Sequence, residues 1–334
     1  MLRISLFLLV AFHTAQSLLI CSFNVRSFGE AKRTRPEIMD IIVKIISRCD
    51  IMLLMEIKDS GHRLCPFLLE KLNGYSREPY RYVVSNRLGR KSYKEQYAFF
   101  YRLKMVSVKQ TYQYPDLQPG DEDALSREPF VIWFSSPKTV AKEFVIIPLH
   151  TTPEMSVREI DELYDVYLDV KQHWASKNFI FMGDFNAGCG YVAKKHWKNI
   201  RLRNHTQFVW LIGDNCDTTV KASTRCPYDR IVLHGDKLIN AVVANSATIF
   251  DFQSAFSMTE EQVCATWLLH KQSVLFLAFP SWLPSRFLAG LGNGWEGCRL
   301  AGCGEGLAWS PMTLAREGPG KKVPWNVDGE LVTS

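Results

Sequence analysis

Short apolar runs alternate along this chain with segments in which apolar residues recur at helical spacing. The short runs predict buried strands, because strands of this length with apolar residues throughout are typical of sheets covered on both faces. Apolar residues recur every three or four positions over 36–48 and 152–174, which predicts two amphipathic helices. The alternation of strands and helices predicts an α/β sandwich. The predicted strands are residues 18–23, 51–55, 80–85, 97–102, 105–112, 130–134, 144–149, 179–182 and 231–233.

Five of these strands carry polar residues at one end. The apolar run over 179–182 stops just before Asp184 and Asn186. A strand-to-turn junction often contains Asp and Asn, and a single buried polar end is usually a satisfied hydrogen bond. Five such ends together favour one shared site at the rim of a sheet, where α/β proteins commonly bind ligands. The other polar ends are Asn24, Glu56, His150 and Asp229.

These residue types suit a phosphate-handling site. Asn24, Glu56 and Asp184 could supply the oxygen atoms that one Mg²⁺ requires. A Glu at a buried strand end is either bound to a metal or held in a salt bridge, and both interpretations stay open for Glu56. His150 is either a core histidine or a general acid or base, and in the second case it needs an orienting carboxylate such as Glu95. Its polar neighbours favour catalysis.

Basic and aromatic residues are interleaved ahead of the strand over 97–102. This pattern suits a DNA backbone, although a solvated loop has the same composition. Arg127 could grip a phosphate with its guanidinium fork or pair with Glu128 at the surface. The formal net charge of +6 suits a polyanionic partner without establishing one. The interleaved residues are Tyr82, Arg87, Arg90, Lys91, Tyr93 and Lys94.

Residues 1–17 predict a secretory signal peptide. Arg3 gives the positive start, residues 4–12 the apolar segment, and residues 15–17 a small-x-small cleavage site. The apolar segment is too short for the about 20 residues that a membrane anchor needs. We therefore expect a secreted chain that begins at Leu18, enters the endoplasmic reticulum and does not associate with membranes. The Asn-His-Thr sequon at Asn204 would then be a glycosylation site.

The nine cysteines fit an oxidising compartment, and at least one of them cannot pair within the chain. Cys21, Cys49 and Cys65 lie in or beside apolar runs, which predicts that they are small core residues. Cys189 and Cys226 flank a polar, turn-rich segment and are the best candidates for a bridge.

Composition changes at about residue 263. The 72 residues of 263–334 contain 10 of the 20 Gly and 5 of the 9 Trp but a single Asp. Residues 274–279 are apolar, yet no helical or alternating period persists beyond a few positions. A Gly-rich segment of this kind buries too little surface to offset its ordering, so we predict a divergent, unstructured tail. The predicted organisation is a signal peptide over 1–17, a globular domain over 18–262 and this tail over 263–334.

The polar strand ends and their neighbours resemble the deoxyribonuclease I family in order and spacing, from about residue 18 to residue 261. The resemblance implies a four-layer α/β/β/α sandwich of the endonuclease/exonuclease/phosphatase superfamily. It also implies Ca²⁺- and Mg²⁺-dependent hydrolysis of DNA phosphodiesters to 5′-phosphate ends. The motifs that carry it are Cys-Ser-Phe-Asn24, Met-Glu56, Ser-Tyr-Lys-Glu95, Ser-Arg127-Glu-Pro, Pro-Leu-His150, Gly-Asp184-Phe-Asn186-Ala-Gly-Cys189 and Cys226-Pro-Tyr-Asp229-Arg-Ile.

The resemblance also assigns roles to residues. Asn24 and Glu56 would hold the catalytic metal, and Glu95 would orient His150. The implied catalytic residues are Glu95, His150, Asp184, Asn186 and Asp229. The implied DNA contacts are Tyr93, Arg127 and Tyr191. The implied family bridge joins Cys189 and Cys226. The expected substrate is double-stranded DNA, including apoptotic or extracellular chromatin, and the family likeness extends the expected location to the nucleus.

The chain departs from the family at its carboxyl end. The family's last strand carries Ser-Asp-His followed by Phe or Tyr and then Pro, and no Ser-Asp-His occurs here. The second catalytic histidine and the Asp beside it are therefore absent, and Asp229 loses the histidine that it would orient. His270, the only histidine of the tail, lacks the flanking Asp and Pro. We expect the last strand to be missing, a sheet edge to be exposed, and nuclease activity to be weak or absent.

Two other functions stay open. One is a catalytically inactive chain that binds DNA through its basic surface. The other is a different phosphodiesterase of the same superfamily, acting on a phospholipid or an inositol phosphate. The Ser-Arg-Glu-Pro and Ser-Tyr-Lys-Glu motifs argue against this last function. We expect the chain to be a monomer.

Actin inhibits deoxyribonuclease I through a small surface that this chain does not preserve. The chain differs from that pattern at Asn86-Arg87 and at Phe130. We predict no tight complex with monomeric actin, because the complementary contacts are lost. A pull-down on immobilised monomeric actin checks this, with deoxyribonuclease I as the positive control. Recovery of a stoichiometric complex with this chain would contradict the prediction.

Overall fold

The computed structural model describes residues 17–220, 223–265 and 274–280. Twelve strands in this part of the chain form two six-stranded sheets. The first sheet has the order β11-β12-β1-β2-β4-β3, and the second has the order β5-β6-β7-β8-β10-β9. The strands are β1 (Leu18–Phe28), β2 (Ile51–Ile57), β3 (Tyr80–Val84), β4 (Gln96–Arg102), β5 (Ser107–Gln113), β6 (Phe130–Ser136), β7 (Lys142–His150), β8 (Phe179–Asp184), β9 (Phe208–Trp210), β10 (Asp229–His234), β11 (Thr248–Phe250) and β12 (Val274–Phe279).

Helices cover the outer face of each sheet. The larger ones are α2, which packs on the first sheet with α3, and α4, which packs on the second. Short 3₁₀ turns occupy Pro153–Met155 and Lys194–Asn199. The helices are α1 (Glu30–Arg33), α2 (Pro36–Ile46), α3 (Leu64–Tyr75), α4 (Ser156–His173), α5 (Arg201–Asn204), α6 (Asp236–Ile239), α7 (Phe252–Ala255) and α8 (Glu260–Ala265).

Three apolar clusters hold these layers together. The central cluster lies between the sheets, and one cluster lies between each sheet and its helices. Strand β4 shows the pattern: Tyr97, Phe99 and Tyr101 face the central cluster, whereas Ala98 and Phe100 face the helices. Both faces of the inner strands are buried, which explains their nearly continuous apolar sequence. The four-layer sandwich predicted from the sequence is confirmed, and each of the nine predicted strands is present.

Two parallel strand pairs direct polar ends toward one rim. Strand β1 runs parallel to β2, and β7 runs parallel to β8, with α2 and α4 in the respective crossovers. Parallel neighbours connected by a crossover helix end at the same edge of a sheet. Strand β10 is antiparallel to β8, so Asp229, at its beginning, lies opposite Asp184 at the end of β8.

The expectation that the last strand is missing is wrong. Residues 274–279 form β12, which pairs with β1 from Leu18–Phe279 to Ser22–Leu275 and also pairs with β11. Leu275, Leu277 and Phe279 enter the central cluster. An apolar segment of strand length can complete a ladder without the family motif, because the ladder bonds are made by the main chain. The edge of β1 is therefore covered. Residues 266–273 and 281–334 of the tail, and residues 1–16 of the predicted signal peptide, lie outside the described residues.

The cysteine predictions are partly confirmed. Cys189 and Cys226 form the predicted bridge. Cys21 and Cys49, expected to be unpaired core residues, instead form a second bridge with their Cα atoms 6.1 Å apart. Helix α2 returns the chain so that Cys49, just before β2, lies beside β1. Cys65 is buried and belongs to neither bridge, as predicted.

No helix in the described ranges combines the length and the apolar character needed to cross a membrane.

Leu277 tests whether β12 is an integral part of the sheet. Its side chain is fully buried in the central cluster, so we expect Leu277→Ala to lower the free energy of unfolding by about 2–5 kcal/mol. Leu117, which is 72% exposed, provides the control, since Leu117→Ala should change the stability by less than about 0.5 kcal/mol. Urea unfolding measures both. Equal stabilities for the two variants would show that β12 is not docked.

Candidate active site

The polar strand ends meet where the rims of the two sheets face each other. Asn24, Glu56 and Glu95 come from the first sheet or the residue next to it, whereas His150 and Asp184 come from the second. A hydrogen bond of 3.3 Å from Asn24 Nδ2 to Asp184 Oδ2 joins the two groups. Glu56 is partly exposed, and the other four side chains are buried. The sequence-predicted residues therefore form one cluster, which is open to solvent near Glu56.

Asn24 and Glu56 are held in place by the last residues of β1, where the pairing with β2 is irregular. Asn24 Nδ2 lies 3.1 Å from Glu56 Oε1. The main-chain N–H of Arg26 donates to Asn24 Oδ1 and that of Ser27 donates to Glu56 Oε2, each at 2.8 Å. Arg26, Ser27 and Glu56 all have φ values in the left-handed region, which non-glycine residues adopt at an energetic cost. The buried ammonium of Lys32 donates to two carbonyls of this segment of β1 and stabilises it.

This pair offers hard oxygen donors for a divalent cation. Among the residues that the structure describes, no group of three or more His, Cys, Asp or Glu side chains is arranged as a closed metal cage. Mg²⁺ does not need one, because it usually keeps several waters and binds one or two protein oxygens together with a substrate phosphate. The Asn24 and Glu56 oxygens fit that mode of binding.

His150 is paired with Glu95 across the gap between the sheets. Nδ1 of the imidazole lies 2.6 Å from Glu95 Oε1. The other ring nitrogen, Nε2, lies 3.6 Å from Asp184 Oδ2 and 3.9 Å from Glu56 Oε1. Burial is the largest single effect and lowers the pKa of His150, but the charge and hydrogen bond of Glu95, together with the charge of Asp184, outweigh it and raise the pKa above its ordinary value. Glu95 therefore holds the imidazole of His150 in a fixed orientation, as acid–base catalysis requires.

Arg127 lies behind this pair and not at the surface. Its guanidinium is 3.0 Å from Glu95 Oε1 and donates twice to the His150 carbonyl, at 2.8 and 2.6 Å. The interpretation of Arg127 as a surface partner of Glu128 is therefore wrong. Burial favours the neutral form of Glu95, yet the charges of His150 and Arg127 hold its pKa below the usual range. The predicted contact of Arg127 with DNA stays a prediction.

The turn after β8 places Asp184 and Asn186. Gly183 has φ +140°, and a Cβ there would lie 2.2 Å from the Leu149 carbonyl oxygen, so only glycine fits. The main-chain N–H of Asn186 donates to Asp184 Oδ1 at 3.1 Å, and its side-chain amide donates to the Thr151 carbonyl at 3.1 Å. Both side chains are thus fixed beside His150.

Asp229 is the poorly compensated member of the cluster. It lies opposite Asp184 in the β8–β10 register and is almost fully buried. One of its carboxyl oxygens, Oδ2, has no hydrogen-bond partner in the described part of the chain. Burial, and then the charge of Asp184, raise the pKa of Asp229 well above its ordinary value. Burial beside another carboxyl group therefore favours the neutral form of Asp229.

Of the other two predicted DNA contacts, Tyr93 lies at the opening near Glu56. Tyr93 is 47% exposed, and its hydroxyl lies 3.5 Å from Glu56 Oε2. The Lys58 ammonium stacks 3.9 Å from the Tyr93 ring centroid. Tyr191 is half-buried, with its ring 5.4 Å from that of Tyr228. Sequence reasoning missed Lys58, although its position two residues after Glu56 could have indicated it.

The chain is similar in sequence and in fold to known proteins. Residues 21–257 match the sequence profile of the Endonuclease/Exonuclease/phosphatase family. The chain is 63% identical to deoxyribonuclease gamma of Homo sapiens, over 77% of this chain and 85% of that protein. It is 50% identical to deoxyribonuclease-1 of Mus musculus, over 74% of this chain and 87% of that one. An endonuclease/exonuclease/phosphatase family protein from Leptotrichia buccalis has the same fold, with a TM-score of 0.55 at 14% identity, over 78% and 98% of the two chains.

Asp229 gives a pH-dependent prediction. A raised carboxyl pKa means that the folded chain keeps a proton which the unfolded chain releases near pH 3.8, so stability falls as pH rises above that value. Asp229→Asn removes this penalty. We expect the variant to gain stability over the wild type progressively as pH rises from about 4 toward the raised pKa of Asp229.

Chemical unfolding across this pH range measures the effect. Asp40→Asn is the control, because Asp40 is an exposed residue of α2. Curves for Asp229→Asn and the wild type that stay parallel from acid to neutral pH would contradict the prediction.

Proposed function

The chain belongs to the endonuclease/exonuclease/phosphatase family and, within it, to the deoxyribonucleases of the deoxyribonuclease I family; on this basis we propose that it is a secreted, metal-dependent endodeoxyribonuclease. Its reaction would be the hydrolysis of DNA phosphodiesters to 5′-phosphate ends. The observation that carries the proposal is the His150–Glu95 pair at 2.6 Å, with the second ring nitrogen directed toward Asp184 and Glu56.

The proposed chemistry follows from the two ring nitrogens of His150. A proton on Nδ1 that is donated to Glu95 leaves the Nε2 lone pair directed into the site, where it can accept a proton from an attacking water. Asp184 and Asn186, fixed in the turn after β8, would align that water and the phosphate. Arg127 keeps Glu95 charged, which favours the protonated imidazole that forms during the step.

We propose Asn24 and Glu56 as the protein ligands of a catalytic Mg²⁺. Their oxygens are of the hard type that this ion prefers. Hydrogen bonds from the main-chain N–H groups of Arg26 and Ser27 fix the positions of both side chains. When bound, the ion would polarise a phosphoryl oxygen. Ca²⁺ is proposed as a second required ion on the strength of the family resemblance, with no residues assigned to it.

We propose double-stranded DNA, including apoptotic or extracellular chromatin, as the substrate of a monomeric enzyme. Tyr93, Arg127 and Tyr191 are its proposed contacts, and the net positive charge favours a polyanion. The two disulfides are compatible with passage through the endoplasmic reticulum and secretion, and the family likeness adds the nucleus as a second location. Asn204, which is exposed at the end of α5, is the proposed glycosylation site.

We further propose that the activity of this chain is impaired. Among the described residues Asp229 Oδ2 has no hydrogen-bond partner, and by the family resemblance Asp229 would orient the second histidine. Loss of one acid–base group typically lowers the rate by about 10²–10⁴-fold. The same observation favours the second candidate function, a DNA-binding chain without turnover. A phosphodiesterase acting on phospholipid or inositol phosphate remains the third candidate.

Plasmid nicking tests the proposal. The mature chain is compared with a version that carries a restored Ser-Asp-His strand, each with Mg²⁺ and Ca²⁺ and with a chelator. We expect metal-dependent nicking by this chain at a rate at least about 10²-fold below that of the restored version. His150→Ala should abolish the residual activity.

The outcomes separate the candidates. A rate near that of the restored version would contradict impairment. No nicking, together with DNA binding that weakens steeply with salt, would favour the inactive DNA-binding chain. Release of phosphate or headgroup from a phospholipid or inositol phosphate panel would favour the third candidate and overturn the proposed substrate.

A further inference from the structure

The hydroxyl of Tyr97 reaches the main chain of His150 from the opposite sheet. Tyr97 belongs to β4 of the first sheet and is 2% exposed. Its hydroxyl accepts a hydrogen bond of 2.9 Å from the His150 N–H and donates one of 3.3 Å to the Arg127 carbonyl. A single phenol oxygen therefore connects three chain segments of the site.

The His150 N–H has a particular need for this partner. Along β7 alternate N–H groups face opposite neighbours, and the N–H of the next residue, Thr151, donates to the Asp184 carbonyl on the β8 side. The His150 N–H thus faces the β6 side, where the paired register ends at Ile132–Ile146. Tyr97 supplies the acceptor beyond the end of the ladder.

His150 is thereby fixed at three points. Glu95 holds ring Nδ1, Tyr97 holds the main-chain N–H, and Arg127 holds the carbonyl oxygen. Glu95 and Tyr97 are two residues apart at the start of β4, so their side chains leave the same face of the strand. One strand therefore sets both the orientation of the imidazole and the position of its Cα.

We propose that Tyr97 is a positioning residue for His150, acting through its hydroxyl. A phenylalanine would fill the same volume without bringing a polar group into the apolar cluster, and burying a hydroxyl is unfavourable unless it is hydrogen-bonded. The hydroxyl is therefore explained by the bonds it makes. The proposal rests on the proposed function in one respect, namely that the imidazole of His150 takes part in acid–base chemistry.

Tyr97→Phe tests the proposal, with Tyr101→Phe as a matched control. Tyr101 lies on the same face of the same strand and is 7% exposed, but it is not among the hydrogen-bond partners of His150. Three measurements are made on the full-length mature protein. They are amide hydrogen exchange at His150, the NMR signal of the Nδ1 proton shared with Glu95, and the plasmid nicking rate.

In Tyr97→Phe we expect the His150 amide to exchange at least about 10-fold faster, while the Thr151 amide is unchanged. The Nδ1 proton signal should move upfield and broaden, because the imidazole is held less firmly against Glu95. Nicking should fall by about 3- to 10-fold at an unchanged KM for DNA, as one lost hydrogen bond predicts. Tyr101→Phe should leave all three readouts at the wild-type values.

An Nδ1 signal and a His150 exchange rate that match those of the wild type would overturn the proposal. So would equal changes in both variants, since these would indicate a general loss of packing. Should Tyr97→Phe fail to fold, slow exchange of the His150 amide in the wild type supports the proposal, and unprotected exchange there overturns it. If the wild type does not nick DNA, the proposed function fails, but the NMR and exchange readouts still decide the role of Tyr97.

Discussion

The hydrogen bond between Glu95 and His150 spans the gap between two sheets, and the geometry of the site depends on it. The partners belong to separate ladders, so no main-chain register between neighbouring strands fixes their separation. The apolar cluster between the sheets sets that distance, because closely packed side chains such as Phe99 and Phe134 cannot be compressed or spread without loss of contacts. The cross-sheet bonds of Asn24 and Tyr97 then align the two rims. The geometry of the site therefore depends on the packing of the core between the two sheets.

Charged groups are buried at the same rim, and some of them lie beside an opposite charge whereas others do not. Around His150 each charge has a partner: Glu95 faces the imidazole and the Arg127 guanidinium, both within 3.0 Å. Asp229 lies beside Asp184, a group of the same charge, and one of its oxygens is unpaired among the described residues. Paired buried charges stabilise an ionised form, whereas an unpaired carboxyl becomes neutral. Opposite charges therefore face each other around His150, whereas Asp229 faces a group of its own charge.

Strand β12 shows that a segment without the Ser-Asp-His sequence can complete the first sheet. The ladder with β1 needs main-chain hydrogen bonds and apolar side chains on both faces, and residues 274–279 supply both. A catalytic histidine needs one residue type at one position, which an apolar segment does not provide. The segment is apolar, but the sequence did not predict a strand there, because the surrounding residues carry no period that identifies an isolated strand of six residues.

The local sequence pattern determined many of the strands of this protein and much of its polar cluster. Apolar runs and their polar ends identified the strands and the cluster of Asn24, Glu56, His150 and Asp184, because strand periodicity and residue chemistry are properties of neighbouring positions. The Cys21–Cys49 bridge, the placement of β12 and the burial of Arg127 were decided by tertiary structure. So was the hydrogen bond that the His150 N–H donates to the Tyr97 hydroxyl, across 53 positions in sequence. Each depends on which distant segments pack together, and that is set by the balance of burial over the whole core and not by any one stretch of sequence.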